Sequence, residues 1–382
     1  MTAAVPMLRV QILIDSLTWG GAESLLADLA VAAPFARIAL SVAYLKDVDG
    51  SPSARRLREA GVEPVLLRTG RLTDPRSLQR VRRHLVATRP DVVHTHLDTA
   101  DVLGGLAARS LGIPAVSTVH LIAPAVSDDP GLRGRAKRGL TVLARGVLDQ
   151  RVLVVSDAAL RAYVSRPGSG LCRVVTVRNG IVAPRRSRTR QEVRAELGIP
   201  GEAVVATTVT VLRPGKGHAL ALEAVDRLRH RHPELVLLVL GDGPSRPEVE
   251  RMAAPLGAHV VLTGHRDDVP ELLGASDILL HPTEMDAFPT SLLQAAAAGL
   301  PAAATAVGGI PEIIEDGRTG LLLPAPTADA VELALARLLD DPQLRAALGV
   351  AAGERFAAEF SAERWALRLR EVYEECLTPG CG

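Results

Sequence analysis

The feature that most constrains this chain is the alternation, along its length, of short apolar runs rich in Val, Ile and Leu with longer stretches of helical periodicity. Strands separated by helices in this way form parallel sheets that helices cover on both faces. The sequence therefore predicts an α/β protein with doubly wound sheets. The predicted strands are residues 10–14, 38–44, 64–67, 92–95, 115–118, 152–155 and 174–177 in the first half, and 204–211, 235–240, 260–262, 278–280, 302–305 and 321–323 in the second.

The length of 382 residues predicts two domains, each large enough to bury its own core. The boundary is expected near Asn179-Gly180, a turn dipeptide that ends a predicted strand and precedes a polar run at 184–190. We therefore predict an N-terminal domain over 1–180 and a C-terminal domain over 190–355. Residues 362–376 have the apolar spacing of a long amphipathic helix that docks on other structure.

The cysteines and the longest uncharged segment bear on the cellular compartment. Cys172, Cys376 and Cys381 are odd in number and lack the spacing of a disulfide framework or a zinc site, which favours a reducing, cytoplasmic environment. Residues 287–311 carry no charge and are long enough to span a bilayer. Glycines and prolines interrupt this segment, so we interpret it as a buried helix, turn and strand instead of a membrane span.

Two glycine-containing loops are candidate phosphate sites, because ligands of open α/β sheets bind at the carboxyl ends of the strands. Gly20-Gly21 follows the first strand and begins a helix, where backbone amides can meet an anion. A tight turn is the alternative. Lys216, between Gly215 and Gly217, begins another helix and offers its charge together with the helix dipole. A solvated basic turn is the alternative there.

Acidic residues mark a third loop, which leads into the uncharged segment. Glu284 and Asp286 stand just before a predicted helix that contains Gln294. Carboxylates in this position can accept hydrogen bonds from sugar hydroxyls, while free helix amides meet phosphate. A simple N-cap role for Asp286 is the competing interpretation.

Seven short motifs follow one another along nearly the whole chain. They are Gly20-Gly21-Ala22-Glu23, Ser117-Thr118-Val119-His120, Val177-Arg178-Asn179-Gly180-Ile181, Lys216-Gly217, Gly241-Asp242-Gly243-Pro244, Phe288-Pro289 and Gly308-Gly309-Ile310-Pro311-Glu312. In this order they resemble the GT4-type retaining glycosyltransferases, the glycosyltransferase group 1 family with the GT-B fold. Each motif is weak, but the ordered set is specific.

The resemblance implies two Rossmann-like domains facing a central cleft, with the helix at 360–376 returning to the N-terminal domain. It implies that the C-terminal domain holds a UDP- or GDP-linked sugar donor and that the N-terminal domain holds a glycan, lipid-linked or small-molecule acceptor. In similar enzymes a hexosyl group is transferred with retention of configuration, and the departing diphosphate acts as the base. Basic side chains and backbone amides stabilise that leaving group without a metal ion or other cofactor.

Carried over residue by residue, the resemblance implies three catalytic residues. Lys216 would neutralise the diphosphate, His120 would lie at the reacting sugar, and Asp286 would supply the acidic role, with Glu284 as its rival. His94 and His96 would line the acceptor side, although capping a strand is the favoured interpretation. The implied donor-binding residues are Gly20, Gly21, Arg213, Lys216, Glu284, Asp286, Phe288, Pro289, Leu292 and Gln294.

The sequence departs from the family pattern at positions that bear on activity. Val211 stands where the family has a phosphate-binding arginine, and Arg213 compensates if the chain is extended there. Asp286 and Gln294 replace the two glutamates of the paired-acid motif. Losing one charge-assisted contact weakens donor binding by about 1–3 kcal/mol. The alternatives are a catalytically impaired GT-B protein acting as a binding partner or scaffold, and an epimerase on the same fold.

A basic segment bears on partners other than the donor. Positive charges interleaved with apolar residues can rest on an anionic membrane surface, where a lipid-linked acceptor would be found, and a solvated helix face is the commoner explanation. Nucleic-acid binding is not expected, because no aromatic stacking residues accompany the charges. The charges are Arg133, Arg135, Lys137, Arg138 and Arg145, among Leu132, Leu140, Leu143, Val147 and Leu148.

Overall fold

Contacts within the chain divide it into two units in the computed structural model: residues 1–182 with 361–382, and residues 183–360. The structure describes residues 6–18, 20–48, 50–70, 72, 74–120, 141, 144–149, 151–165 and 173–378. Each unit contains one parallel sheet, so the predicted fold class is confirmed.

The first unit is built on a seven-stranded sheet with the order β3-β2-β1-β4-β5-β6-β7. All its strand pairs are parallel. Each of its first five helices connects two consecutive strands, as parallel strand pairs require. The strands are β1 (Leu8–Ile14), β2 (Ile38–Tyr44), β3 (Val65–Leu66), β4 (Val92–His96), β5 (Ala115–Val119), β6 (Arg151–Val154) and β7 (Arg173–Thr176), and the helices are α1 (Gly21–Ala32), α2 (Ser53–Glu59), α3 (Pro75–Thr88), α4 (Asp98–Ser110) and α5 (Asp157–Val164).

The second unit is built on a six-stranded sheet with the order β10-β9-β8-β11-β12-β13, also parallel throughout. Its strands are β8 (Val204–Val209), β9 (Leu235–Leu240), β10 (Val260–Gly264), β11 (Ile278–His281), β12 (Ala302–Thr305) and β13 (Gly320–Leu323). Its helices are α6 (Arg190–Glu196), α7 (His218–Leu228), α8 (Arg246–Ala253), α9 (Val269–Gly274), α10 (Thr290–Ala297), α11 (Ile310–Ile313), α12 (Ala328–Asp340) and α13 (Pro342–Arg355).

Local sequence explains these elements. Every residue of β9 is buried, as expected for a central parallel strand read as a continuous apolar run. Helix α6 begins at a capping box, in which the Thr189 side chain and the Glu192 side chain each bond the other's backbone. All the predicted strands are present; three have the predicted bounds, and the ends of the others shift by one or two residues. Strand β8 ends at Val209 instead of residue 211, because the chain bends and Leu212 N then donates to Asp242 O.

The last helix, α14 (Ala362–Leu377), packs against α1 in the first unit. Trp365 and Tyr373 are buried on its apolar face. The buried guanidinium of Arg370 donates to the carbonyl oxygens of Ala36 at 2.9 Å and Arg37 at 2.8 Å. The predicted amphipathic helix therefore forms part of the core of the first unit.

Candidate functional site

The order of strands reverses between β8 and β11 in the second unit, because these two neighbours are not consecutive along the chain. In open α/β sheets such a switch point leaves a crevice beyond the carboxyl ends of the strands. The loop after β8 carries Lys216 and the loop after β11 carries Asp286. The topology thus brings together two of the residues that the sequence singled out.

Backbone contacts fix the two loops against each other. The Gly215 carbonyl accepts hydrogen bonds from Glu284 N at 2.8 Å and from Thr283 Oγ1 at 3.1 Å. Gly217, with φ of 74°, lies so close to the second loop that an added Cβ would stand 2.0 Å from the Pro282 oxygen. The lysine loop therefore packs directly on the acidic loop, which holds Lys216 in one place.

Lys216 and Asp286 form an ion pair at the centre of this arrangement. Lys216 Nζ lies 2.7 Å from Asp286 Oδ2, and the side chains are only 11% and 21% exposed. Buried His281, the last residue of β11, places Nε2 3.4 Å from the same oxygen. Burial raises the pKa of Asp286, but the contact with His281 and the charge of Lys216 outweigh it and lower the pKa to about 2.

The depressed pKa of Asp286 predicts a pH-dependent contribution to stability. The ionised carboxylate stabilises the folded chain fully above its unfolded pKa of 3.8, and this contribution is lost as the pH falls towards about 2. The contribution of this ionised carboxylate to stability amounts to at most about 2.5 kcal/mol. We expect the difference in unfolding free energy between the wild type and Asp286→Asn to shrink over that range. Urea unfolding at several pH values measures it, and a difference that does not change with pH contradicts the ion pair.

Replacing Gly217 by alanine is expected to separate the two loops. The new Cβ cannot occupy the position 2.0 Å from the Pro282 oxygen, so the backbone must shift. We expect a loss of about 2 kcal/mol or more in unfolding free energy and weaker nucleotide binding. Gly198→Ala is the matched control: φ is 66° and no atom lies within 4 Å, so it adds only the φ strain. Equal losses in the two variants would show that close packing of the loops is unimportant.

The remaining donor-site predictions divide into exposed and buried residues. Arg213 and Glu284 are exposed and Gln294 is partly exposed, so these side chains are accessible to a ligand. Val211 and Arg213 are both exposed on either side of buried Leu212, but the chain bends at Leu212 and Arg213, so the extended conformation in which Arg213 would replace the missing arginine is not present. Within the described residues the Arg213 side chain has no ion-pair partner.

Three predicted donor-binding residues have buried side chains. Phe288 is 5% exposed and packs edge-on against Phe360, with ring centroids 5.9 Å apart, and Leu292 is 2% exposed. Pro289 is also buried. Their side chains belong to the apolar interior, and their role in donor binding, through backbone groups, stays a prediction. The N-cap interpretation of Asp286 is wrong, because the N-cap of α10 is Pro289.

His281 is the site residue that sequence reasoning missed. It ends an apolar strand and therefore looks like an ordinary core residue. The signal that identifies it is topological, since β11 borders the switch point. Within the described ranges no group of three His, Cys, Asp or Glu side chains is placed to hold a metal ion. Lys216 is the positive charge that the structure places between these two loops.

The first unit has its own switch point, between β1 and β4, and here carboxylates already cover the helix N-termini. The Glu23 side chain folds back over Gly20, where an added Cβ would lie 2.2 Å from Oε2, and Thr18 Oγ1 donates to Glu23 Oε1 at 3.1 Å. Asp15 accepts a hydrogen bond from Ala100 N at the start of α4, at 2.6 Å. The role of Gly20 and Gly21 in binding a diphosphate stays a prediction, and it requires Glu23 to move aside.

Three histidines lie together at the ends of β4 and β5. His94 Nδ1 is 2.6 Å from Tyr373 Oη, and Nε2 is 2.7 Å from Thr118 Oγ1. His96 Nδ1 is 2.9 Å from His120 Nε2. His94 and His96 are buried inside this network, so the strand-capping interpretation does not describe them.

Most of the predicted membrane-facing segment lies outside the described residues, which include neither 121–140 nor 142–143. Arg145 is described and does not face outwards. It is 6% exposed and its Nε donates to Asp101 Oδ2 at 2.8 Å. Val147 is 50% exposed. Arg145 must therefore be removed from the predicted basic surface.

The described helices include none with the length and apolar composition needed to cross a membrane.

Comparison with known proteins identifies the family. Residues 189–355 match the model of glycosyl transferases group 1, and residues 19–185 match that of glycosyltransferase family 4. A D-inositol 3-phosphate glycosyltransferase from Saccharomonospora viridis is 32% identical over 311 residues, which cover 75% of this chain and 70% of the relative. The corresponding protein of Salinispora arenicola is 30% identical over 316 residues, which cover 75% and 69%.

Solved structures agree at the level of the fold. HepE of Anabaena in complex with UDP-glucose has a TM-score of 0.81 at 19% identity, covering 96% of this chain and 100% of that one. Sucrose-phosphate synthase of Thermosynechococcus elongatus has a TM-score of 0.77 at 20% identity, covering 96% and 98%. With both halves matched in order, the chain belongs to the group 1 glycosyltransferases, in the GT4 family with the GT-B fold.

Proposed function

We propose that this chain is a retaining glycosyltransferase that moves a sugar from a UDP- or GDP-linked donor to a glycan, lipid-linked or small-molecule acceptor without a metal ion. The observation that carries the proposal is the Lys216–Asp286 ion pair at the switch point of the second sheet. The second unit binds the nucleotide part of the donor. The first unit binds the acceptor.

The charges at the two switch points support nucleotide binding by the second unit and acceptor binding by the first. In the first unit, Glu23 and Asp15 already lie on the N-termini of α1 and α4 and oppose a bound diphosphate. In the second unit, a lysine that is 11% exposed stands at the start of α7, where its charge adds to the helix dipole. HepE of Anabaena, a structural neighbour, was crystallised with UDP and with UDP-glucose.

The ion pair also indicates how the residues act. A diphosphate carries more negative charge than one carboxylate, so it draws Lys216 Nζ away from Asp286 Oδ2. The freed carboxylate, kept ionised by His281, then accepts hydrogen bonds from sugar hydroxyls. As the glycosidic bond to the donor phosphate breaks, Lys216 stabilises the charge that develops on the leaving oxygen. The departing phosphate oxygen takes the proton of the acceptor hydroxyl, and the new bond forms on the same face of the sugar.

The experiment that tests this proposal is a transfer assay with UDP- and GDP-linked hexoses. Release of the nucleoside diphosphate and a sugar-bearing product, with the anomeric configuration read by NMR, support it. D-inositol 3-phosphate belongs in the acceptor panel, because curated relatives are named for that acceptor. A product of inverted configuration would contradict retention, and loss of activity after chelation would contradict metal independence.

A second candidate is a catalytically impaired member of the family that serves as a binding partner. Val211, 54% exposed, places an apolar side chain where the resemblance implies a phosphate-binding arginine. In that case nucleotide binds but no donor in the panel is consumed. Restoring the charge with Val211→Arg distinguishes the two functions. If the wild type has no transfer activity and Val211→Arg gains it, the natural site is impaired. A wild type that already transfers sugar excludes this candidate.

A further inference from the structure

The three histidines of the first unit form one connected network. His94 is fixed at both ring nitrogens, by Tyr373 of the last helix and by Thr118 of β5. The ring of His96 packs beside it, with centroids 4.3 Å apart. His120 stacks on His96 at 5.2 Å with an interplanar angle of 25°, and the two share the 2.9 Å hydrogen bond. Each ring therefore positions the next.

Burial keeps these histidines neutral. It lowers the pKa of His94 to about 3 and the pKa of His96 well below its ordinary value. It also lowers the pKa of His120 to about 4, with a further contribution from the charge of Arg145. A hydrogen bond between two neutral imidazoles holds a single proton, so one ring must donate and the other must accept.

The second nitrogen of His96 decides which ring donates. His96 is 2% exposed, and its Nε2 is buried without a hydrogen-bond partner. A buried N–H group without a partner is rarer than an unused acceptor lone pair. Nε2 therefore carries the lone pair and Nδ1 carries the proton. His96 Nδ1–H is the donor of the 2.9 Å bond, and His120 Nε2 accepts it.

We propose that His96 is a positioning residue that locks His120 in the tautomer with its proton on Nδ1, so that His120 donates a hydrogen bond to a substrate oxygen and does not act as a base. Among the described residues, His120 Nδ1 has no protein partner, so this N–H is available to a ligand. The proposal rests on the proposed function, in which the departing diphosphate takes the proton and no protein base is required.

The tautomer can be measured whether or not the chain transfers sugar. Nitrogen NMR of the full chain labelled with ¹⁵N-histidine separates a protonated ring nitrogen from a bare one, and the His120 signals are assigned by their loss in His120→Asn. We expect Nδ1 of His120 to be protonated and Nε2 to be bare. The reverse pattern, with the proton on Nε2 of His120, overturns the proposal.

Variants of His96 test its effect on turnover. His96→Asn keeps an N–H donor near the position of Nδ1, while His96→Gln moves the same amide one methylene further out. We expect His96→Gln to lower kcat about tenfold with little change in KM, and His96→Asn to retain most of the wild-type kcat. His230→Leu, at an exposed position in the second unit, is the control and should leave kcat unchanged.

The outcomes separate this proposal from the proposed function. Equal kcat values for His96→Gln, His96→Asn and the wild type would show that His96 does not position His120. A fall in both variants, with circular dichroism showing altered folding, would assign His96 a structural role and overturn the proposal. A wild type without transfer activity contradicts the proposed function, and the NMR result then decides the tautomer alone.

Discussion

Lys216→Ala is expected to lower kcat for sugar transfer by about 100-fold to 1,000-fold, the effect of removing one preorganised charge from a developing oxyanion. Lys216 is suited to this role because it is 11% exposed and held in a loop that packs on Pro282 and Thr283. A fixed charge stabilises the leaving group without reorganisation at the moment of reaction. Initial rates of nucleoside diphosphate release measure the change.

The variant also removes the partner of Asp286, so folding must be separated from catalysis. Among the described residues, His281 is the remaining ion-pair contact of Asp286 in Lys216→Ala, and the carboxylate keeps its charge in a largely buried place, which destabilises the chain. Lys216→Ala/Asp286→Asn removes that charge as well. We expect the double variant to regain stability without regaining kcat. Thermal unfolding and initial rates of both variants provide the comparison.

Arg227→Ala is the control for loss of a surface cation. Arg227 is exposed in the last turn of α7, at the opposite end of that helix from Lys216. Lys216→Arg keeps the charge in a larger, planar group, so it should retain more activity than alanine. If Lys216→Ala turned over within about threefold of the wild type, Lys216 would not stabilise the leaving group, and the proposed mechanism would be wrong.

The strands could be predicted because their signal is local. A run such as 235–240 is apolar at every position, which is typical of a parallel strand covered on both faces. The alternation of helices and strands predicted parallel sheets, which placed Lys216 and Asp286 in loops at the carboxyl ends of their strands. The sequence therefore predicted that these two loops form a candidate site.

Contacts between residues distant in sequence could not be predicted. The 2.7 Å pair of Lys216 with Asp286 joins residues 70 positions apart, and no local pattern specifies it. His281 resembled a core residue because strand periodicity does not show which strands border a switch point. The position of the Glu23 carboxylate over Gly20 could not be predicted either, because the motif shows only that the two residues are close in sequence.

Arg145 shows the same limit most clearly, because helical spacing placed it on a basic surface. In the structure its partner is Asp101, 44 positions earlier, which is 1% exposed. Thr95 Oγ1 donates to the other oxygen of that carboxylate. Burial raises the pKa of Asp101 to about 6, although Arg145 and Thr95 oppose this effect. The buried Asp101 carboxylate therefore depends on Arg145 and Thr95 to remain ionised.

Arg145→Ala is accordingly expected to lower the free energy of unfolding by about 3–5 kcal/mol, because it leaves the Asp101 carboxylate buried and uncompensated. Arg55→Ala is the control. Arg55 pairs with Glu59 on the surface at 80% and 60% exposure, and its loss should be barely measurable. Denaturant unfolding at neutral pH gives both values. A loss for Arg145→Ala no larger than that of Arg55→Ala would contradict the buried pair.

The pH dependence identifies the cause of that loss. Without Arg145 the pKa of Asp101 rises further, so the folded variant binds a proton that the unfolded chain has released, and its stability falls as the pH rises. The penalty should therefore be larger at about pH 8 than at about pH 5. Asp101→Asn combined with Arg145→Ala removes the titrating group and should abolish the pH dependence. Two results would contradict this explanation: a loss of unfolding free energy that stays constant with pH, or a pH slope that persists in the double variant. Either would mean that the chain is destabilised by lost packing of the arginine side chain and not by an unpaired carboxylate.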